Sequence, residues 1–166
     1  MKLIGLKAFI LKRANTLEKS YYKSPVGILE IIFENNQLIS LKSTDSKIIP
    51  DNETDFIKDI KTQLDEYFSG KRKFFDIDIN PNGTDFQKSV WTELGKIPYG
   101  TTKSYTEIAK RIGKQNAQRA VGNACNKDPI MIIIPCHRVI SKGGEIGEYA
   151  YGNEMKKFLL NLEKKN

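Results

Sequence analysis

Cysteine and histidine are the scarce residues of this chain: Cys125 and Cys136 are its only cysteines and His137 is its single histidine. So small a set of thiols cannot build a disulfide framework, and with one imidazole it cannot supply a zinc centre of the usual Cys and His spacing. No metal is expected. Long apolar runs are missing too. No stretch approaches the ~20 residues that a membrane span needs, and residues 1–12 lack the small-residue cleavage site of a secretory signal. A cytoplasmic protein (nuclear in a eukaryote) with no membrane partner is the expectation. What is present is a globular composition, 166 residues with 39% hydrophobic and 28% charged, enough for one domain or two small ones.

Acidic residues run short in one half only. Divided at the turn signal Asn80-Pro81-Asn82-Gly83, residues 1–82 carry 13 basic and 12 acidic side chains, whereas residues 83–166 carry 14 and 8. A basic module of that kind suits a polyanionic partner, and a solvated lysine-rich face has the same composition.

Residues 1–82 read as mixed α/β. Residues 26–33 and 37–41 are β-rich and joined by Glu34-Asn35-Asn36, which predicts a hairpin. Residues 3–11 and 74–79 are further strand candidates, the latter following the basic trio Lys71-Arg72-Lys73. Between them Phe56, Ile57, Ile60, Leu64, Tyr67 and Phe68 recur at helical spacing until Gly70. No catalytic constellation stands out in this half, which reads as scaffold.

Residues 83–166 are richer in signals. Thr84-Asp85-Phe86-Gln87 has capping-box form and predicts a helix with Phe86, Val90, Trp91 and Leu94 inward. Ser104-Tyr105-Thr106-Glu107 repeats the pattern ahead of Ile108, Ala109 and Ile112, with Gly113 as the stop. A further helix is expected over 117–126 with Asn116 as its N-cap. Two short helices joined through a glycine turn are a helix-turn-helix candidate, and an ordinary helical hairpin has the same pattern. The second helix is poor in bulk: Ala117, Ala120, Gly122 and Ala124 are small, Gln118 and Asn123 short and polar, and Arg119 is its one long cation. Such a helix can approach another surface closely. Since Gly122 costs ~1 kcal/mol of helix propensity against Ala, close approach needs a reason.

Residues 130–134 are continuously apolar and read as a buried strand that delivers Pro135-Cys136-His137-Arg138 at its end. A cysteine becomes a strong nucleophile only as thiolate, and a histidine within reach can take its proton. Neighbours on an extended chain point to opposite faces, so a water-bridged relay is more natural than direct contact. A carboxylate would be needed to hold the imidazole tautomer.

The order of Gly83-Thr84-Asp85-Phe86-Gln87, Val90-Trp91, Ile97-Pro98-Tyr99-Gly100, Ser104-Tyr105, Arg119-Ala120-Val121-Gly122 and Pro135-Cys136-His137-Arg138-Val139, followed by Lys156 and Glu163, closely resembles the O6-alkylguanine-DNA alkyltransferase family. The resemblance runs from residue 83 to 163 and is weak over 1–82. It implies an α/β, ribonuclease H-like domain over 1–82 and a mostly helical, winged-helix-type domain with a helix-turn-helix over 83–166. It implies a cofactor-free monomer acting on double-stranded DNA that contains O6-alkylguanine, with O4-methylthymine as a further substrate. A methyl or small alkyl group would pass irreversibly to the protein's own cysteine, one per molecule. By this resemblance Cys136 matches the alkyl acceptor, His137 the base acting through water, and Glu163 the carboxylate that orients it. Tyr105 matches the residue that turns out the target nucleotide and hydrogen-bonds the guanine. Arg119 matches the finger that fills the gap, with Ala117, Gln118, Ala120, Gly122 and Asn123 on a minor-groove recognition helix. Cys125, Val139, Tyr149 and Tyr151 match the substrate pocket. Asp128 departs from the family's asparagine, Gln115 from a proline, and Tyr151 from a frequent glycine. A thiol hydrolase using Cys136 and His137, and a non-catalytic helix-turn-helix DNA-binding protein, are the alternative readings.

Overall fold

The computed structural model describes residues 16–50 and 53–166. The first half is an antiparallel sheet in the order β1 (Glu18–Ser24), β2 (Gly27–Glu34), β3 (Gln37–Thr44), covered by helix α1 (Asp55–Phe68). The predicted hairpin joins β2 to β3, and Asn35 and Asn36 both take positive φ, 51° and 58°, as a two-residue turn matched to strand twist requires. Alternate residues of β2, Leu29, Ile31 and Phe33, point inward onto Ile57, Ile60, Leu64 and Tyr67 of α1. The strand expected over 3–11 lies outside the described residues.

The segment 74–79 is not a strand. Only Ile79 forms a bridge, to Leu38 of β3, while the Gln63 side chain holds the backbone of Asp76 by accepting from its N–H and donating to its carbonyl. The outer edge of β3 is shared instead. Leu38 bonds residues 78 and 80, and farther along Leu41 donates to the Pro129 carbonyl and accepts from the Met131 N–H, at 2.9 and 3.0 Å. Backbone hydrogen bonds thus join the first half to the chain just ahead of Cys136.

The second half is helical: α2 (Asp85–Leu94), α3 (Tyr105–Arg111), α4 (Gln118–Asn126) and α5 (Asn153–Lys165), with a two-residue parallel pair of β4 (Lys103–Ser104) and β5 (Val139–Ile140). Both capping boxes form as read, Thr84 with Gln87 and Ser104 with Glu107. The α3–α4 turn uses Gly113 and Asn116, both near φ +70°, but Asn116 is not the cap. Ala117 holds that position without a side-chain bond, because Asn116 is spent in the left-handed turn. Trp91 donates Nε1–H to the Ala124 carbonyl at 2.9 Å and pins α2 on α4.

The buried strand expected over 130–134 is absent. Ile132 adopts φ +73°, and Ile133 and Ile134 donate back to Met131 and Ile130, so the run closes into a compact turn. A continuous apolar run signals burial on all sides, which a packed turn satisfies as well as a strand. Cys136–Arg138 is one turn of 3₁₀ helix, so successive side chains diverge by about 120° rather than 180°.

Candidate functional site

Helix α5 presents Lys156, Leu159, Leu160 and Glu163 on one stripe, and all four are buried. The first and last of these are charged. A buried charge survives only with hydrogen-bonding partners, and Glu163 has several. Its Oε1 lies 2.7 Å from His137 Nε2, accepts from the Tyr67 hydroxyl at 2.7 Å and from Arg138 Nη2 at 3.0 Å. Its Oε2 accepts from Arg138 Nε at 2.8 Å and from the Gly100 N–H at 3.1 Å. Gly100 sits at φ +72°, where a Cβ would come within 3.0 Å of the Glu163 carbonyl, so the turn can press this close only as glycine. Arg138 is held in turn by the Ile97 carbonyl at 2.7 Å and the face of Tyr99.

Burial opposes charge on Glu163, but the bonds from His137 and Arg138 outweigh it and hold the carboxyl well below the ordinary carboxylate range. For His137 burial wins, aided by the Arg138 and Lys156 cations, and its pKa is lowered despite Glu163. The resting pair is therefore an ionised carboxylate and a neutral imidazole. An ionised carboxylate only accepts, so the proton shared with Glu163 belongs to His137 Nε2. Nδ1 is left with its lone pair, buried and without a protein partner.

Cys136 is 3% exposed. Burial pushes its thiol well above the ordinary range, the Asp128 charge adds to this, and Lys156 pulls weakly the other way. The resting sulfur is a thiol. Lys156 is wholly buried, donates to the Val139 carbonyl at 2.6 Å, and faces the rings of Tyr105 and Tyr149. Asp128 keeps half of the brace expected of an asparagine: Oδ1 accepts from the Ile130 N–H at 2.8 Å, while Oδ2 is buried without a second backbone partner and the carboxyl interacts with the Cys136 thiol. Burial raises its pKa to about 7.

Beside these groups lies an open groove of about 500 Å³ whose lining includes Tyr105, Gln118, Arg119, Gly122, Asn123 and Gly147. Arg119, Gln118, Ala120 and Asn123 are exposed on α4, whereas Val121, Ala124 and Cys125 face inward. A Cβ on Gly122 would meet the Tyr105 ring at 3.8 Å, an ordinary contact, so internal packing does not require a glycine there. The Tyr105 hydroxyl is near Gly147, and burial pushes its pKa up to about 12. Tyr151 is half-buried, its ring edge-on to Tyr149 at 5.6 Å, and the two lie near enough to Cys136 for its charge to act on both.

The predicted residues fall into two groups. Cys136, His137, Glu163, Cys125, Val139 and Tyr149 are buried together, with Tyr105 and Tyr151 at the edge, while Arg119 and its neighbours on α4 line the outer groove. Ala117 sits at the helix cap rather than within α4. Tyr67, Arg138 and Lys156 received no role from sequence reasoning. The last two carried a signal, since a charge on an apolar helical stripe or beside a buried cysteine needs a partner. Tyr67 carried none, because a tyrosine on an apolar stripe reads as core.

Residues 17–81 match the ribonuclease-like domain of 6-O-methylguanine DNA methyltransferase, and residues 85–165 match the DNA binding domain of the same family. The chain is 51% identical over 132 residues to a methylated-DNA–protein-cysteine methyltransferase of Methanosarcina mazei, covering 78% of this chain and 84% of that protein. The similarity to its counterpart in Methanosarcina acetivorans is 45% over 148 residues, covering 86% and 95%. Among solved structures, Mycobacterium tuberculosis OGT in complex with DNA shares the fold at a TM-score of 0.83 and 40% identity, over 89% and 92% of the two chains. Identity of this extent along both chains, with the fold shared throughout, makes this chain a member of the 6-O-methylguanine DNA methyltransferase family.

Proposed function

We propose that the protein repairs O6-alkylguanine in double-stranded DNA by moving the alkyl group irreversibly onto Cys136. The observation that carries this reading is the buried His137, next in sequence to the buried Cys136 thiol, whose Nε2–H is committed to ionised Glu163 and whose Nδ1 has no protein partner. His137 Nδ1 takes the thiol proton through one water as the sulfur attacks the alkyl carbon in line. The carbon–O6 bond breaks with its electron pair going to guanine, and the proton ends on the base. Tyr105 stays protonated at neutral pH and donates a hydrogen bond to the departing guanine. A thioether offers no acyl carbon for a water activated by His137 to attack, so the carbon–sulfur bond persists and each molecule acts once.

The buried sulfur is reached only by a base turned out of the stack. The groove on α4 supports this: Gln118, Ala120, Gly122 and Asn123, with Ala117 at the cap, allow close approach to a minor groove, and exposed Arg119 fills the vacated position. Cys125, Val139, Tyr149 and Tyr151 form the alkyl pocket. The finer fold labels belong to the same proposal. The sheet with α1 supports a ribonuclease H-like first domain, the α3–α4 pair supports a winged-helix-type second domain, and the boundary is set between residues 82 and 83. Among the described residues no helix is long and apolar enough to cross a membrane, and a DNA substrate assigns the protein to the cytoplasm, or to the nucleus of a eukaryote.

Mass spectrometry after mixing with duplex DNA containing O6-methylguanine tests the reading. One methyl on the Cys136 peptide and no turnover past one equivalent are expected, with Cys136→Ser binding DNA but accepting nothing. Repeated turnover would refute it and favour a thiol hydrolase, and methyl on another residue would refute Cys136 as the acceptor.

A further inference from the structure

Tyr67 belongs to the first half of the chain, yet its hydroxyl ends inside the second. It leaves the last turn of α1, is wholly buried, and donates at 2.7 Å to Glu163 Oε1, across 96 residues of sequence. That oxygen is the one that holds His137 Nε2. The ring is wedged among Phe68, Phe75 and Tyr99, the last edge-on at 6.1 Å, and Tyr99 lies beneath Arg138. We propose that Tyr67 is a positioning residue for alkyl transfer, through which the first domain fixes the Glu163 carboxylate and sets the basicity of His137.

Packing alone does not account for the hydroxyl. A phenylalanine would fill the same space without having to bury a polar oxygen, which costs free energy that its bond to Glu163 offsets. The direction of its effect follows from charge. Five donor contacts converge on a carboxylate that offers about four lone-pair sites, so each competes with the others for the same electron density. A hydroxyl on Oε1 draws off charge that would otherwise attract a proton to His137. It thereby keeps the imidazole neutral, and able to accept the thiol proton, to lower pH. It also blocks rotation of the carboxylate away from Nε2, which holds the lone pair on Nδ1. Arg138 and Lys156 push His137 the same way, and Glu163 alone pushes back. A residue without chemistry of its own, on a domain that otherwise reads as scaffold, thus acts on the reacting sulfur through two intermediaries.

The proposal rests on the alkyl-transfer reading, and the test separates the two. His137 is the only histidine, so ¹⁵N-imidazole NMR of the whole protein reports this one ring without assignment. In Tyr67→Phe the imidazole pKa is expected to rise by about half a unit or more as the carboxylate regains charge. The acid limb of single-turnover methyl transfer should move up in pH with it, and the rate at neutral pH should fall about 3- to 30-fold, with affinity for undamaged duplex within about twofold. Site-specific 3-fluorotyrosine at position 67 keeps the shape and donates more strongly, so its imidazole pKa should fall instead. This second arm applies even where the phenylalanine variant folds poorly. An imidazole titration unmoved in either variant would overturn the proposal, as would wild-type transfer rates in Tyr67→Phe. Failure of the wild-type protein to transfer methyl at all would strike the functional reading, while the NMR titration would still decide whether Tyr67 governs His137.

Discussion

The two halves of the molecule bury polar side chains for different ends. Among the described residues the sheet half hides Ser20 and Gln63, both uncharged, and the Gln63 amide serves folding by holding the backbone of Asp76. The helical half hides Glu93, which pairs with Lys96 and Arg111, and a separate cluster of Asp128, His137, Arg138, Lys156 and Glu163 next to one thiol. Desolvating charges is expensive, and apolar replacements of the same volume are often as stable, so such a cluster is poorly explained by stability alone. Its members do have chemical work: a carboxylate kept ionised, an imidazole kept neutral, a sulfur kept protonated until needed. Buried charge beside a nucleophile therefore locates the site, whereas a buried amide marks a joint.

The sharpest way to break this contrast is Glu163→Gln. It leaves Arg138 buried without its counter-charge and offers His137 an amide that no longer dictates the tautomer. A stability loss of about 3 to 5 kcal/mol by chemical denaturation is expected, with transfer slowed by about 10²- to 10⁴-fold in single-turnover kinetics. A stable, active Glu163→Gln would mean that the cluster is structural after all.

Asp128 supplies the next largest effect, and its sign is opposite. Its folded pKa, about 7 against an ordinary 3.8, means that the native state binds the proton more tightly than the unfolded chain. Its contribution to stability is full below pH ~4 and is lost as pH rises through ~7, by up to about 4 kcal/mol. Asp128→Asn should remove that slope, so the stability difference between variant and wild type opens across this window, and above pH 7 the uncharged neighbour should let Cys136 ionise and react more readily. Denaturation midpoints and transfer rates from pH 4 to 8 decide it, and parallel stability curves would show that Asp128 does not titrate there.

Tyr151 tests the pocket edge rather than the charges. In the proposed alkyl pocket the Tyr151 ring, packed on Tyr149, would narrow the space beside Cys136, and an overfilled pocket costs ~1 to 3 kcal/mol, roughly tenfold to a hundredfold in rate. Tyr151→Gly is expected to raise reactivity toward free O6-benzylguanine by that factor and leave methyl repair nearly unchanged. An unaltered benzyl-to-methyl ratio would remove Tyr151 from the pocket. The smallest effect belongs to the sheet half. Ser20 Oγ is buried without a partner, so Ser20→Ala should leave transfer untouched and change stability by less than about 1 kcal/mol, in the stabilising direction.

What could be read from the residues follows how local each interaction is. The capping boxes of α2 and α3 and the Asn35-Asn36 hairpin depend on groups a few residues apart, and all three formed as expected. Strand β1 escaped notice because its inward positions include a serine, Ser20 beside Tyr22, which dilutes the alternation. The turn at 130–134 was misread because apolar composition reports burial but not the φ of Ile132. In the site, Cys136 and His137 stood out by chemical type and Glu163 by family resemblance. Tyr67 was invisible because its partner lies so far along the chain.

The shared edge of β3 has a consequence for how the protein comes into being. Leu41 exchanges backbone bonds with Pro129 and Met131, and Tyr67 reaches Glu163 over 96 residues, so the ties that shape the reactive centre are among the most distant in sequence. Closing such long loops costs chain entropy that is returned only once the contacts form, so these contacts are expected late in folding. A nascent or partly unfolded chain then exposes Cys136 as an ordinary thiol, lacking an oriented base. Reactivity toward an alkylated base arrives only with the last cooperative step, and a chain whose halves have not yet joined is inert toward its substrate rather than half-active.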